Sequence, residues 1–276
     1  MTFAPALPLG GYAGWTFLKR TYDTQTRAFQ ASPELKRDED YFRAKIGQVK
    51  TAEQLVSDRR LLKVALGAYG LDGDINNKYF IRKVLEDGTL KDGALANRLA
   101  DKQYAALSSG FGFGDYAVPR TQLSDFADKT LAAYKTRRFE TAVGSQNNDL
   151  RLALNVEREL PKLAGKSSSE AVKWFTAMGN APLRQVLQTA LGVPVSVGSL
   201  DLDRQLEIFQ DKAEAVFGDS GVSQFADPAK MDALVRRFLL QSEVAALGAG
   251  QSASAGALAM MQQVADFARS LRSTGR

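Results

Sequence analysis

An all-α, multi-helix globular bundle is the fold the sequence predicts, and three observations carry that prediction. Apolar residues recur at helical spacing from one end of the chain to the other. Segments start on residues that cap helices and stop at glycine. The one short β-branched run, Val193 to Val197, is interrupted by Pro194 and bounded by Gly192 and Gly198, which suits a connector better than a sheet strand.

Trp15, Leu18 and Tyr22, then Thr26 and Phe29, share one helix face. Ser32-Pro33-Glu34 reads as an N-cap with proline at the first helical position, opening a helix that carries Leu35, Tyr41, Phe42 and Ile46 to a break at Gly47. Thr51 with Gln54 has the spacing of a capping box and predicts a helix through Leu55, Leu61, Leu62, Ala65, Leu66 and Tyr69, stopped by Gly70. A helical segment follows over 76–87, and Asp92 is the expected cap of another through Leu95, Leu99, Gln103 and Leu107. Thr121 or Ser124 starts a long stretch through Phe126, Leu131, Tyr134 and Phe139, and after Gly144 a second runs from Leu150 to Leu163. Ser167 with Glu170 repeats the capping-box spacing before Val172, Trp174, Phe175 and Met178. Asp227-Pro228 opens a further helix through Met231, Leu234, Val235, Phe238 and Leu239.

Residues 58–71 align without gaps on 180–193: Leu61 meets Leu183, Val64 meets Val186, Ala68 meets Ala190 and Gly70 meets Gly192. Residues 76–87 then find a looser counterpart in 200–217, and 92–107 in 227–241. Two readings stand: loosely duplicated helical units at 31–120 and 164–247 joined by central helices over 121–163, or independent amphipathic helices that share a pattern. Either is compatible with a single helical domain over 1–276. Composition shifts to Ala, Gly and Ser at 245–259, and Leu258, Met261, Val264, Phe267 and Leu271 outline a final amphipathic helix within a tail at 248–276. That tail is either a linker with a docking helix or a small-residue contact in the common core.

Composition narrows the chemistry. There is no cysteine and no histidine among the 276 residues, so disulfides, thiolate nucleophiles, cysteine zinc sites and serine-histidine or cysteine-histidine hydrolases of the usual kind are excluded. Carboxylate, lysine and tyrosine chemistry stay open. The net charge of +5 is dispersed, with Lys19-Arg20, Arg59-Arg60, Arg137-Arg138 and Arg236-Arg237 interleaved with acids, so no nucleic-acid stripe is expected. No apolar run reaches the length of a membrane span, and the first 14 residues lack a basic n-region, so cytoplasmic residence is the expectation, with non-classical export as the alternative.

Several near-motifs fail on inspection. Asp72-Gly73-Asp74-Ile75-Asn76 begins like a calcium loop, but Asn77 replaces the glycine and Lys83 the bidentate glutamate. Gly165-Lys166-Ser167 lacks the first glycine of a phosphate loop, where Leu160 stands, and follows a helix. Asp38-Glu39-Asp40 and Asp201 with Asp203 acquire no acidic or lysine partner in the local pattern and suit helix starts. No cofactor is expected. Residues 110–114, Gly-Phe-Gly-Phe-Gly, are a candidate partner-contact loop through Phe111 and Phe113, with anchoring of two helical units the favoured alternative. Leu258, Met261 and Phe267 are further candidate contacts in the tail.

The opening stretch 11–22, GYAGWTFLKRTY, the segment Asp38 to Phe42, the run DRRLLKVAL at 58–66 with Tyr69-Gly70-Leu71, and the segment 238–242 resemble an uncharacterised helical domain family of alphaproteobacteria, often encoded beside flagellar genes. The resemblance covers nearly the whole chain and implies a flagellum-associated role without catalytic residues to carry over. The expectation is therefore a protein-protein interaction or assembly factor without catalysis, with a protein partner from the flagellum. An exported structural component of the flagellum is the nearest alternative, and a carboxylate-dependent enzyme the lesser one.

Overall fold

The computed structural model describes residues 4–247, and among them every regular element is helical and no strand occurs. The tail helix expected at 248–276, with Leu258, Met261 and Phe267, lies outside the described residues.

The chain opens with α1 (Gly11–Gln30), which buries Trp15, Leu18 and Phe29 as its periodicity requires. Gln25 is buried on the same helix and clamps the incoming strand of chain, accepting from Ala6 N at 2.7 Å and donating to Ala6 O at 3.1 Å. Helix α2 (Pro33–Ile46) begins at Pro33 and buries Leu35, Phe42 and Ile46.

The long helix expected from Thr51 to Tyr69 is two helices. Thr51 does cap α3 (Ala52–Ser57), accepting from Gln54 N, but the reciprocal bond runs from Lys50 N to Gln54 Oε1. Asp58 then leaves helical geometry at φ −94° and ψ 103° and caps α4 (Arg59–Tyr69) by accepting from Arg60 N and Leu61 N. The break has a simple cause: an aspartate whose carboxylate can satisfy two orphan amides competes with continuation of the helix.

Helix α5 (Lys78–Asp87) follows a single 3₁₀ turn. The helix expected from Asp92 is also broken, into α6 (Leu95–Arg98) and α7 (Gln103–Phe111). Asp92 caps neither; Asp87 accepts from Leu95 N at 2.7 Å and Asp101 from Gln103 N at 2.8 Å. Thr121 and Ser124 do not start the next helix, α8 (Phe126–Gly144), whose N-cap is Asp125. Thr121 is buried instead, and its hydroxyl donates to Val49 O at 2.6 Å, tying a 3₁₀ turn to the α2–α3 connection.

Residues 145–147 turn the chain into α9 (Asn148–Ala164), capped by Asn147. Helix α10 (Glu170–Met178) is capped by Ser169, which accepts from Val172 N, so the cap stands two residues beyond the Ser167 expected. Then come α11 (Ala181–Leu191), α12 (Leu202–Phe217) and a last helix, α13, over 228–247. Met231, Leu234, Val235, Phe238 and Leu239 of α13 are all buried, as its period demands.

Helices α8 and α9 form the central hairpin. α2 and α4 pack on α8, α11 and the turn at Val222–Ala226 pack on α9, and α1 touches both. Within this frame α4 and α11, the two segments aligned in sequence, have the same length and the same ending. Gly70 and Gly192 both adopt left-handed geometry, at φ 77° and 68°. Leu71 N bonds Leu66 O at 3.0 Å and Val193 N bonds Gln188 O at 2.8 Å, the six-to-one bond of a Schellman cap in each case. The paired 92–107 and 227–241 part company, since the first is broken and the second is one helix. Shared caps are local geometry that any helix of this pattern adopts, and they do not demonstrate duplication.

Candidate functional site

Phe111 and Phe113 end α7 and enter the loop after it. Phe111 is fully buried, its ring 5.0 Å from Phe126 edge-on and 6.2 Å from Tyr69. Phe113 is half-buried, 5.7 Å from Phe111. At Gly114 a Cβ would come within 2.4 Å of Glu86 O, so only glycine lets this backbone lie against the end of α5. The stretch therefore anchors α5, α7 and α8 to one another. Phe111, read as a candidate partner contact, sits in the interior with no exposed ring surface, while Phe113 is partly open.

An apolar surface that sequence reasoning passed over lies on α13. Leu240, Val244 and Leu247 are 44%, 63% and 69% exposed and follow an i, i+4, i+7 spacing, one stripe of a helix. Leu240 also lines a groove of about 370 Å³ between the end of α12 and the middle of α13, where Val216 and Phe217 meet Arg236 and Arg237. Arg236 and Glu243 flank the stripe on the same face: Arg236 lies 5.4 Å from the Tyr12 ring, and the Glu243 carboxylate sits against Gly11. The start of α1 thus borders the stripe, while its three apolar side chains are exposed. The core face through Met231, Leu234, Val235, Phe238 and Leu239 was legible in the sequence, but whether another element would cover the opposite stripe could not be read from it.

A charge network joins α2, α4 and α8. Asp38, buried on α2, accepts at one oxygen from Lys63 Nζ and from the Tyr134 hydroxyl, each at 2.8 Å. Lys63 also reaches Glu34 at 3.1 Å, and Glu39 pairs with Lys135 at 2.6 Å and Arg43 at 3.0 Å. The lysine partner absent from the local pattern of Asp38 thus arrives from α4, through the fold. Burial drives the Tyr134 phenol well above its ordinary pKa, and the Asp38 charge adds to the rise. Burial pulls Lys63 down, but its bonds to Asp38 and Glu34 outweigh it and raise the ammonium overall. Both groups hold their protons at neutral pH, so neither is poised to accept one. Their arrangement is that of a lock between three helices, with each buried polar group satisfied.

Beside it, Tyr41 donates to Asp58 Oδ2 at 2.6 Å, and the Arg60 guanidinium lies 3.8 Å over the Tyr41 ring. The false calcium loop is occupied with similar internal bonds: Asp74 accepts from Tyr104 OH at 2.6 Å and from Asn77 Nδ2 at 2.7 Å. No helix among the described residues is long and apolar enough to cross a membrane.

Comparison with known proteins gives the fold a family. The crystal structure of protein AGR_C_984 from Agrobacterium tumefaciens is 25% identical, with a TM-score of 0.70 over 87% of this chain and 98% of that one. No curated protein matches the chain. The family model described as "Protein of unknown function (DUF1217)" matches residues 68–231, which takes in the central hairpin and the elements packed on α9 from α10 to the turn at Val222–Ala226, and leaves out α1, α2 and nearly all of α4. More than half of the chain is matched, and the chain belongs to the DUF1217 family.

Proposed function

We propose that this protein is a flagellum-associated interaction or assembly factor that works without catalysis, and that it engages a protein partner through α13. The observation that carries the interaction reading is the stripe of Leu240, Val244 and Leu247, three large exposed apolar side chains on a helix whose opposite face, through Met231, Leu234, Val235, Phe238 and Leu239, is packed in the core. A helix stripe beside a groove is the geometry by which an amphipathic partner helix docks, and Arg236 and Arg237 at the edge favour a partner with acidic residues flanking its apolar face. The flagellar setting is supported by the resemblance of residues 11–22 and 58–71 to a family often encoded beside flagellar genes.

The test is affinity purification of the full chain from motile native cells, in parallel with a Leu240→Lys, Val244→Lys double variant. Flagellar proteins are expected to be enriched with the native chain and lost with the variant, whose circular dichroism should be unchanged because both side chains are already exposed. Absence of flagellar proteins from the native sample, or equal recovery with the variant, overturns the reading. Fractionation of the same culture separates an accessory factor retained in cells from a structural component found in purified extracellular flagella.

A further inference from the structure

Between α8 and α9, where the end of α4 and the start of α11 approach them, lies an open cleft of about 240 Å³. Arg137, Arg138 and Thr141 line it from α8, Arg151 and Asn155 from α9. Gly70 ends α4 at one edge and Pro182 begins α11 at another, so a negative and a positive helix end offset each other there. Any selectivity must come from the side chains.

Those side chains are rich in donors that the protein does not use up. Arg151 spends its guanidinium on an amide oxygen, Asn148 Oδ1, at 3.0 and 2.7 Å, and pairs with no carboxylate among the described residues. Arg137 reaches one carboxylate oxygen, of Glu159 at 3.5 Å, and shares that glutamate with Arg158 and Lys162. Glu140 is taken by the Arg158 fork at 2.7 and 3.0 Å. Arg138 comes no closer than 3.8 Å to its acid, Glu34, and its buried Nε has no acceptor. Asp72 is the remaining acid at the rim. Burial and the charge of Arg158 push the Arg137 guanidinium down to about 10, so it is still charged at neutral pH but under-compensated.

Asn155 gives an independent sign. Its side chain lines the cleft, the residue is only 5% exposed, and its Oδ1 accepts from no donor among the described residues. A buried amide left in this way costs about 1–3 kcal/mol. A leucine or alanine would fill a helix position of this kind better, and a polar group kept against stability marks a site that serves something other than folding.

We propose that this cleft binds a small molecule bearing an oxyanion, a phosphate or carboxylate group, held by the guanidinium groups of Arg137 and Arg151, with a neighbouring hydroxyl of the ligand donating to Asn155 Oδ1. Guanidinium forks match the planar or tetrahedral oxygens of such groups. The volume admits an oxyanion and a few further atoms, given that a water molecule takes about 30 Å³. This site is distinct from the α13 surface, and either can fail without the other.

Isothermal titration of the full chain with inorganic phosphate, and separately with glycolate, at fixed ionic strength and with chloride as the control, tests it. One of the two anions is expected to bind saturably at one site, phosphate assigning a phosphate ligand and glycolate a hydroxy acid. Arg151→Gln, a half-buried position without an ion pair to lose, is expected to weaken that binding by about tenfold or more, the scale of a charge-assisted hydrogen bond. Asn155→Leu is expected to abolish it while keeping or raising the thermal midpoint. If neither anion gives saturable heat, or both variants bind as the native chain does, the site is overturned.

Discussion

Gly67 stands in the middle of α4, where propensity alone would favour almost any other residue. The reason lies across the interface: a Cβ there would come within 2.7 and 2.8 Å of the Tyr134 ring, so the phenol that reaches Asp38 needs a helix surface without a side chain. Gly67→Ala is accordingly expected to destabilise the protein by about 1–3 kcal/mol through overpacking, in spite of alanine's better propensity. A urea midpoint equal to or above that of the native chain would contradict this. Lys63 was the sequence's one hint of the network, a charge inside Leu61-Leu62-Lys63-Val64-Ala65-Leu66, a run buried on most sides that obliges the ammonium to find an acid. Which acid it would find could not be read, because Asp38 is equally at home as an exposed helix acid.

Tyr104 illustrates the same dependence on partners and gives a pH test. Burial and its bond to Asp74 push this phenol up to about 12 from an ordinary value of 10.0. The folded state therefore keeps a proton that the unfolded chain would release. The contribution to stability is full below about pH 10 and is lost as the pH rises toward 12. Spectrophotometric titration of the native protein should show a late tyrosinate step whose amplitude falls by one phenol in Tyr104→Phe, the part that Tyr134 contributes remaining. A native titration complete near pH 10 would refute it.

At the scale of elements, α4 and α11 offer a controlled comparison, since the same cap sits in two environments. Gly70→Ala and Gly192→Ala each place a Cβ on a left-handed residue, a penalty of about 1–2 kcal/mol. At Gly192 that Cβ meets open space, whereas at Gly70 it meets Arg137 Nη1 at 2.6 Å and Gln103 at 2.8 Å. The Gly70 variant should consequently be the less stable of the two in thermal melts; the reverse order would show that the caps do not sit as described.

Asp58 is the second element-scale case. Burial pushes its carboxyl up, but the Tyr41 hydroxyl and the Leu61 and Arg60 amides outweigh burial and hold it below 3.8. Its stabilisation is thus full above the ordinary aspartate pKa and is lost as the pH falls through the depressed value. Asp58→Ala should lower stability at neutral pH by about 0.5–2 kcal/mol, the worth of an N-cap, with a smaller difference from the native chain in acid. A constant difference down to pH 2, on the order of that neutral value, would argue against the linkage. The capping residues show where reading helix starts succeeds and fails. Asp227, read as opening a helix, accepts from Ala229 N, and Asp201, read as a helix-start acid, accepts from Arg204 N, whereas the caps at Asn147 and Asn180 were not read. Asp92, Ser167 and Thr121 have the same chemistry and did not cap: Asp87 reaches Leu95 N across the turn, Ser169 accepts from Val172 N, and α8 starts at Asp125 with no side-chain cap bond.

Over the whole molecule the buried side chains form one continuous cluster from Trp15 to Leu239, with Trp174 fully inside it. The two tryptophans report on different helices of this core, Trp15 on α1 and Trp174 on α10. A single cooperative transition is expected, with Trp15→Phe and Trp174→Phe variants giving the same denaturant midpoint by fluorescence as by circular dichroism. Separate midpoints would divide the chain into two domains, at the level of the units 31–120 and 164–247.

The all-helical class, the order of the long helices and their buried faces were determined by the sequence alone, because a 3.6-residue apolar period and glycine stops are local properties that every helix carries within itself. Where the helices break, which acid meets Lys63, that Phe111 belongs to the interior and that Leu240, Val244 and Leu247 remain outside were decided only by tertiary structure. Each of these depends on which face of one helix reaches which face of another, and side chains of the same type satisfy the local rules equally well on either side.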